Sequence, residues 1–180
     1  NTKDIEHGNM CETHSIDMIS TPTGKKMEKY EGAPFRDEEL LLVGTPDVLH
    51  DEFIIDVKNP YNNRTFDNKI IIRDGKLVID QVYYWQAQAY LHLCDREVFY
   101  LVYTLNEHKY MEAAGLDNYY SKFNLIDRMF VQKIKRDRSA IELYRERLPA
   151  IKREIEYQKE VLKLATMESV KYLEEMKGLV

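Results

Sequence analysis

Cysteine is scarce in this 180-residue chain: Cys11 and Cys94 stand far apart, outside any CxxC or His-rich spacing. Two are too few for a disulfide framework, a four-ligand zinc site or an iron–sulfur cluster. Both are therefore expected as buried, reduced thiols. Long apolar runs are also lacking. No stretch approaches the roughly 18 residues that a spanning helix needs, so no membrane is implied. The polar, charged N-terminus has no apolar core of a signal peptide, and its start at Asn1 rather than Met leaves room for residues upstream. A cytoplasmic location is expected. Positive charge is not in excess either. A net charge of −5 argues against a general basic coat for nucleic acid, but it is compatible with a local basic groove beside an acidic metal site. Repeats and low-complexity linkers are absent. What remains, 44% hydrophobic and 32% charged residues, is the composition of a folded globular domain with a core around a sheet.

Residues 3–19 read as a helix stopped by Thr21-Pro22-Thr23-Gly24. Residues 25–37 read as a loop with short extended pieces. Leu40–Val43 and Phe53–Val57 read as strands that bracket the stretch from Gly44 to Glu52, with His50-Asp51 at a tight turn. Ile70–Ile72 and Leu77–Ile79 flank Asp74-Gly75, a pair that tolerates the positive φ of a primed hairpin turn. Gln81 to about Cys94 is helical, Glu97–Thr104 is a strand rich in β-branched and aromatic residues, and 108–123 is helical in part. Met129–Ile134 is a last edge strand. From Ser139 onward the chain is helical, with Ile141, Tyr144, Leu148, Ile151, Ile155, Gln158, Leu162 and Ala165 alternating three and four apart as a heptad stripe. Pro149 is expected to kink or divide that helix. The stripe suits packing on the chain's own core or on another subunit. The expected division is a core over 1–136 and a helical extension over 137–180.

The chemistry centres on Gly44-Thr45-Pro46-Asp47 and Ile55-Asp56-Val57-Lys58. An acidic residue, any residue and a lysine occur in that order at Asp56, Asp67, Asp74, Glu107 and Glu175, so the triplet alone means little. Only Asp56-Val57-Lys58 ends an apolar strand and has an acidic residue after a proline a hairpin's length upstream. Strand alternation sends Asp56 and Lys58 to one face and Val57 to the other. Pairing of 46–50 with 52–57 would bring Asp47 beside Asp56. Two carboxylates that close repel unless a cation lies between them. Mg²⁺, for which Mn²⁺ is expected to substitute, takes such oxygen ligands. A lysine beside a metal-bound water is expected to have a depressed pKa and to orient or deprotonate the nucleophile. That set suits metal-assisted hydrolysis of a phosphodiester.

These motifs resemble the signature of the PD-(D/E)xK nuclease superfamily. Gln86-Ala87-Gln88-Ala89-Tyr90 matches the Gln-x-x-x-Tyr motif of its lambda-exonuclease, YqaJ and RecB-like branch, and Gly8-Asn9-Met10-Cys11-Glu12 is similar to the helical glutamate ahead of the sheet. The resemblance implies an α/β (α+β) fold, with a central mixed sheet flanked by helices in a restriction-endonuclease-like core, followed by the long C-terminal helical segment. It implies metal ligation by Asp47, Asp56, the Val57 carbonyl and Glu12, with Glu12 acting directly or through water. Lys58 would activate water and meet the phosphorane charge, and Gln86 would position Lys58, a water or the DNA backbone. Tyr90 shares the helical face of Gln86 and is assigned to DNA. Arg64, directly after the lysine loop, and the basic run Lys133, Lys135 and Arg136 are candidate DNA contacts.

The expected activity is thus a Mg²⁺-dependent exonuclease that digests linear double-stranded DNA 5′–3′ in phage-type recombination. Its partners would be DNA and a single-strand annealing protein, and it could assemble as a homo-oligomeric ring. The alternatives are a RecB- or Cas4-like single-strand nuclease or an endonuclease, with Cas4 disfavoured by the missing four-cysteine set. A non-enzymatic alternative is a degenerate nuclease fold serving as a DNA-binding or assembly module.

Overall fold

Strand β4 (Phe53–Lys58) is apolar on both faces, and its residues Ile54, Ile55, Asp56 and Val57 are all buried. Such a strand belongs in the centre of a sheet covered on both sides. In the computed structural model, which describes residues 2–107 and 119–177, β4 lies in a four-stranded sheet. The order is β3 (Val48–Leu49), β4, β7 (Val98–Thr104) and β8 (Met129–Lys135). β4 and β7 run parallel, while β3 and β8 run antiparallel to their neighbours. The sheet is mixed, as expected, and β8 is its edge.

Two apolar clusters cover its faces. Ile54 packs with Ala87 and Leu91 of helix α3 (Gln81–Leu93) and with Leu101 and Ile134. Ile55 and Val57 pack with Ile16 and Ile19 of helix α1 (Thr2–Thr23) and with Val102. Alternation along β4 therefore puts Asp56 on the α3 face with Ile54. Parallel strands need a long crossover, and α3 lies within the one from β4 to β7. Asp80 caps α3 by accepting from the Val82 N–H at 2.9 Å.

Several local expectations shift. Helix α1 runs on to Thr23, and Gly24, at φ +63°, ends it in the left-handed conformation usual after a helix. Leu40 and Leu41, expected in a strand, lie in the turn between β1 (Phe35–Asp37) and β2 (Leu42–Gly44). Asp37 accepts from the Leu40 N–H at 2.9 Å, and Leu41 takes φ +55°. That side-chain bond offers the backbone a turn where the apolar letters alone suggest extension. His92 Nε2 lies 2.9 Å from Asp37 Oδ2 and ties this hairpin to α3. Asp74 and Gly75, at φ +51° and +71°, form the primed turn between β5 (Ile72–Arg73) and β6 (Lys76–Leu77). A short helix α2 (Asn63–Asp67) was not expected; Asn62 and Thr65 close its first turn as a capping box. Of the stretch 108–123, residues 108–118 lie outside the described residues, and Tyr120–Lys122 form a 3₁₀ turn. Cys11 and Cys94 are free and buried, and burial pushes each thiol up to about 11.

The chain divides into two units, Asn1–Arg138 and Ser139–Val180. Helix α4 (Arg138–Lys177) is one 40-residue element. Pro149 lies inside it without dividing it. Arg145–Glu142 and Lys159–Glu156 pairs one turn apart line its surface at 2.8 and 2.7 Å. No described helix is long and apolar enough to cross a membrane.

Candidate active site

The register of β3 and β4, with Val48 opposite Ile55, carries one step outward to set Asp47 opposite Asp56. Asp47 Oδ2 accepts from the Val57 N–H at 2.6 Å. Asp56 is 2% exposed, and its Oδ2 has no aligned hydrogen-bond donor among the described residues. Its partner there is the Lys58 ammonium, 2.5 Å away. Gln86 Nε2, one strand-to-helix layer above, donates to Asp56 Oδ1 at 3.4 Å. Gln86 was expected at Lys58, water or DNA; it reaches the carboxylate instead. All these groups stand at the C-terminal end of β4, beside the matching end of β7, where open α/β sheets bind ligands.

Burial and the neighbouring Asp56 charge push the Asp47 carboxyl up to about 7, with Glu12 adding to the effect. Burial also raises Asp56, although Lys58 pulls it back down. Burial by itself would lower Lys58, yet the facing carboxylates of Asp56 and Asp47 outweigh it, and its pKa is raised. The depression expected for a lysine beside a metal-bound water is not the direction set by the protein groups alone, because both carboxylates face the ammonium. The donor set is all oxygen, and mutual repulsion holds a proton on it near neutral pH. Both traits fit a hard divalent cation, which would relieve that repulsion. Among the described residues, no group of three or more His, Cys, Asp or Glu side chains is set to hold a metal ion. Glu12, expected as a ligand, instead pairs with Lys29 at 3.0 Å, and its charge reaches both aspartates.

The carboxylates open into a cleft of about 650 Å³. Glu12, Asp47, Lys58 and Asn59 line its floor, and Tyr61, Lys69 and Tyr83 line its outer wall. Asn59 anchors a buried polar knot. Its Oδ1 lies 2.5 Å from Ser15 Oγ and 2.9 Å from both Thr104 Oγ1 and Asn106 Nδ2, while its Nδ2 donates to the Gly8 carbonyl at 3.3 Å. The knot ties α1, and so Glu12, to the ends of β4 and β7. Sequence reasoning missed Asn59, Tyr61, Lys69, Tyr83 and Lys29. Asn59 alone carried a signal, as a polar residue directly after the strand that ends in Lys58.

The residues assigned to DNA lie in three different settings. Tyr90 packs against Phe99, and its hydroxyl donates to the Thr45 carbonyl at 3.1 Å. A Cβ on Gly44 would run into its ring, so glycine is needed there for close packing. Arg64 is exposed on α2 and does not line the cleft. Lys135 pairs with Val98 in the sheet, whereas Lys58 pairs with Tyr103. The basic run therefore lies near the other end of β7, roughly 17 Å along the strand. Lys133 stacks its ammonium 5.8 Å from the Tyr100 ring centroid, and Arg136 bonds Asp95 at 2.8 Å and Glu97 at 3.4 Å.

No protein-family model matches the chain, and no curated protein does. Solved structures do. The crystal structure of an alkaline exonuclease, LHK-Exo, from Laribacter hongkongensis is 20% identical, with a TM-score of 0.64 over 92% of this chain and 75% of that one. LHK-Exo in complex with dAMP gives a TM-score of 0.62 at 20% identity, over 92% and 74% of the two chains. A phage-related exonuclease from Haemophilus somnus 129PT is 21% identical, with a TM-score of 0.63 over 82% of this chain and 68% of that one. The chain shares the fold of these exonucleases, a mixed sheet flanked by helices with a long C-terminal helix.

Proposed function

We propose that the chain is a divalent-metal-dependent deoxyribonuclease. The observation that carries this reading is the pairing of half-buried Asp47 with buried Asp56, whose carboxylate meets Lys58 beside the cleft, in a fold shared with solved exonucleases. Asp47, Asp56 and the Val57 carbonyl would hold Mg²⁺, or Mn²⁺ in its place, and Glu12 would support them from α1 through its charge. When bound, such an ion polarises a phosphoryl oxygen and lowers the pKa of water. Lys58 Nζ stands 2.5 Å from Asp56 Oδ2, beside the carboxylates that would hold the ion. It therefore orients the attacking water and meets the negative charge that grows on the phosphorane oxygens. Gln86 holds Asp56 from above. A water oxygen bonds to phosphorus, and the bond to the departing sugar oxygen breaks.

The finer reading is an exonuclease on linear duplex DNA, acting 5′–3′ in phage-type recombination. In that role it would work beside a single-strand annealing protein, in a ring of copies. The test compares end-labelled linear duplex, nicked circle and single strand, each with Mg²⁺. Linear duplex should be degraded from its ends; equal cleavage of closed circles would remove the exonuclease part. Lys58→Ala should lower turnover by at least about 100-fold, the scale of one lost transition-state donor, while Mg²⁺ still binds. Normal cleavage by Lys58→Ala would overturn the mechanism. DNA binding without cleavage of any substrate would favour a non-enzymatic module.

A further inference from the structure

The cleft has two cations of different standing. Lys58 faces Asp56 and serves the carboxylate end. Lys69, half-buried on the outer wall, has no carboxylate partner among the described residues; its ammonium lies over the Tyr83 ring, 5.5 Å from the centroid. Lys58 Nζ is also 5.5 Å from that centroid. One ring therefore neighbours both ammonium groups. The third acidic group at the cleft, Glu12, is already matched by Lys29. Charge in the cleft is thus polarised: carboxylates gather at Asp47 and Asp56, and an unmatched cation waits at Lys69.

A face of aromatic π density holds a lysine ammonium in place without neutralising it. Lysine acts as a point charge on a flexible stem, which suits a phosphate oxygen whose direction need not be fixed. Lys69 comes directly after Asn68, the C-cap of α2, and its N–H donates to the Phe66 carbonyl at 2.9 Å, which fixes the turn that presents it. Its triplet, Asp67-Asn68-Lys69, is one of those that strand context marks as incidental. Tertiary placement makes its lysine the free charge of the cleft.

We propose that Lys69, held over Tyr83, binds the backbone phosphate next to the one cleaved at Asp47, Asp56 and Lys58. The ligand class is a DNA strand's phosphodiester backbone, and the inference rests on the nuclease reading above. Lys69 positions the strand and takes no part in bond breaking. Backbone contacts of this kind set register and carry no sequence information.

The test is equilibrium binding of a labelled oligonucleotide in Ca²⁺ without Mg²⁺, titrated across NaCl concentrations, beside Mg²⁺-driven cleavage. Lys69→Ala and Lys69→Gln should weaken binding roughly threefold to tenfold and reduce the slope of log K against log salt by about 0.7 to 0.9, the value of one phosphate contact. KM should rise by a similar factor with kcat within about twofold, and Lys69→Arg should restore the slope. A merely structural role would change kcat or folding and leave the salt slope alone. An unchanged slope in both folded variants, with wild-type cleavage intact, overturns the Lys69 assignment and spares the nuclease reading. Wild-type protein that neither binds nor cleaves DNA overturns both.

Discussion

Asp47 holds its proton more tightly than an ordinary aspartate. Its folded pKa, raised to about 7 by burial and by the Asp56 charge, exceeds the roughly 3.9 of an unfolded aspartate. A carboxylate raised on folding binds more protons in the native state between those two values. Stability of the metal-free protein therefore falls as pH rises from about 4 to 7 and levels above that. Asp56 is raised as well and acts with the same sign. In EDTA, Asp47→Asn should be more stable than wild type at pH 8, and the gap should close towards pH 5. Thermal melts at a series of pH values check this; a gap that widens on acidification contradicts the raised carboxyl. This carboxylate pair was legible in the sequence, because strand alternation and a short turn suffice to pair Asp47 with Asp56. The sign of the Lys58 shift was not, since it depends on how many carboxylates face the ammonium and what lies between them.

Among the elements, β2 and α3 meet most closely at Gly44 and Tyr90. The Gln-x-x-x-Tyr spacing put Gln86 and Tyr90 on one helical face, yet only Gln86 reaches the carboxylates. Tyr90 lies one turn further on, over the hairpin, and bonds the Thr45 carbonyl that precedes Pro46-Asp47. Gly44→Ala would drive a methyl into the tyrosine ring. Such overpacking costs about 1–3 kcal/mol, and it should appear as a lower urea midpoint with an unchanged slope. An unaltered midpoint would mean that the ring swings aside freely. Helix α2 escaped sequence reading because its five residues have no periodicity; its cap is a side-chain bond between Asn62 and Thr65.

For the whole molecule, the proposed metal binding would be linked to folding. An ion that binds only the native state stabilises it by about 2.7 kcal/mol at a concentration 100 times its dissociation constant. Mg²⁺ should therefore raise the melting temperature above that in EDTA, and Asp56→Asn should abolish the rise. An equal rise in that variant would place the ion elsewhere.

Local pattern by itself determined most of the candidate catalytic constellation. Asp56 and Lys58 follow from the two-residue period of a strand and Asp47 from a hairpin pairing, whereas Glu12 and Gln86 came from the resemblance of their motifs. Tertiary structure alone decided which lysines line the cleft. Lys133, Lys135 and Arg136 form the densest basic run in the sequence, but β8 enters the sheet antiparallel to β7 and carries them away from Lys58. Lys69, alone between a short helix and a hairpin, arrives in the cleft through the fold of that connection. Strand order and direction are set by long-range pairing, and no periodicity within a segment encodes them.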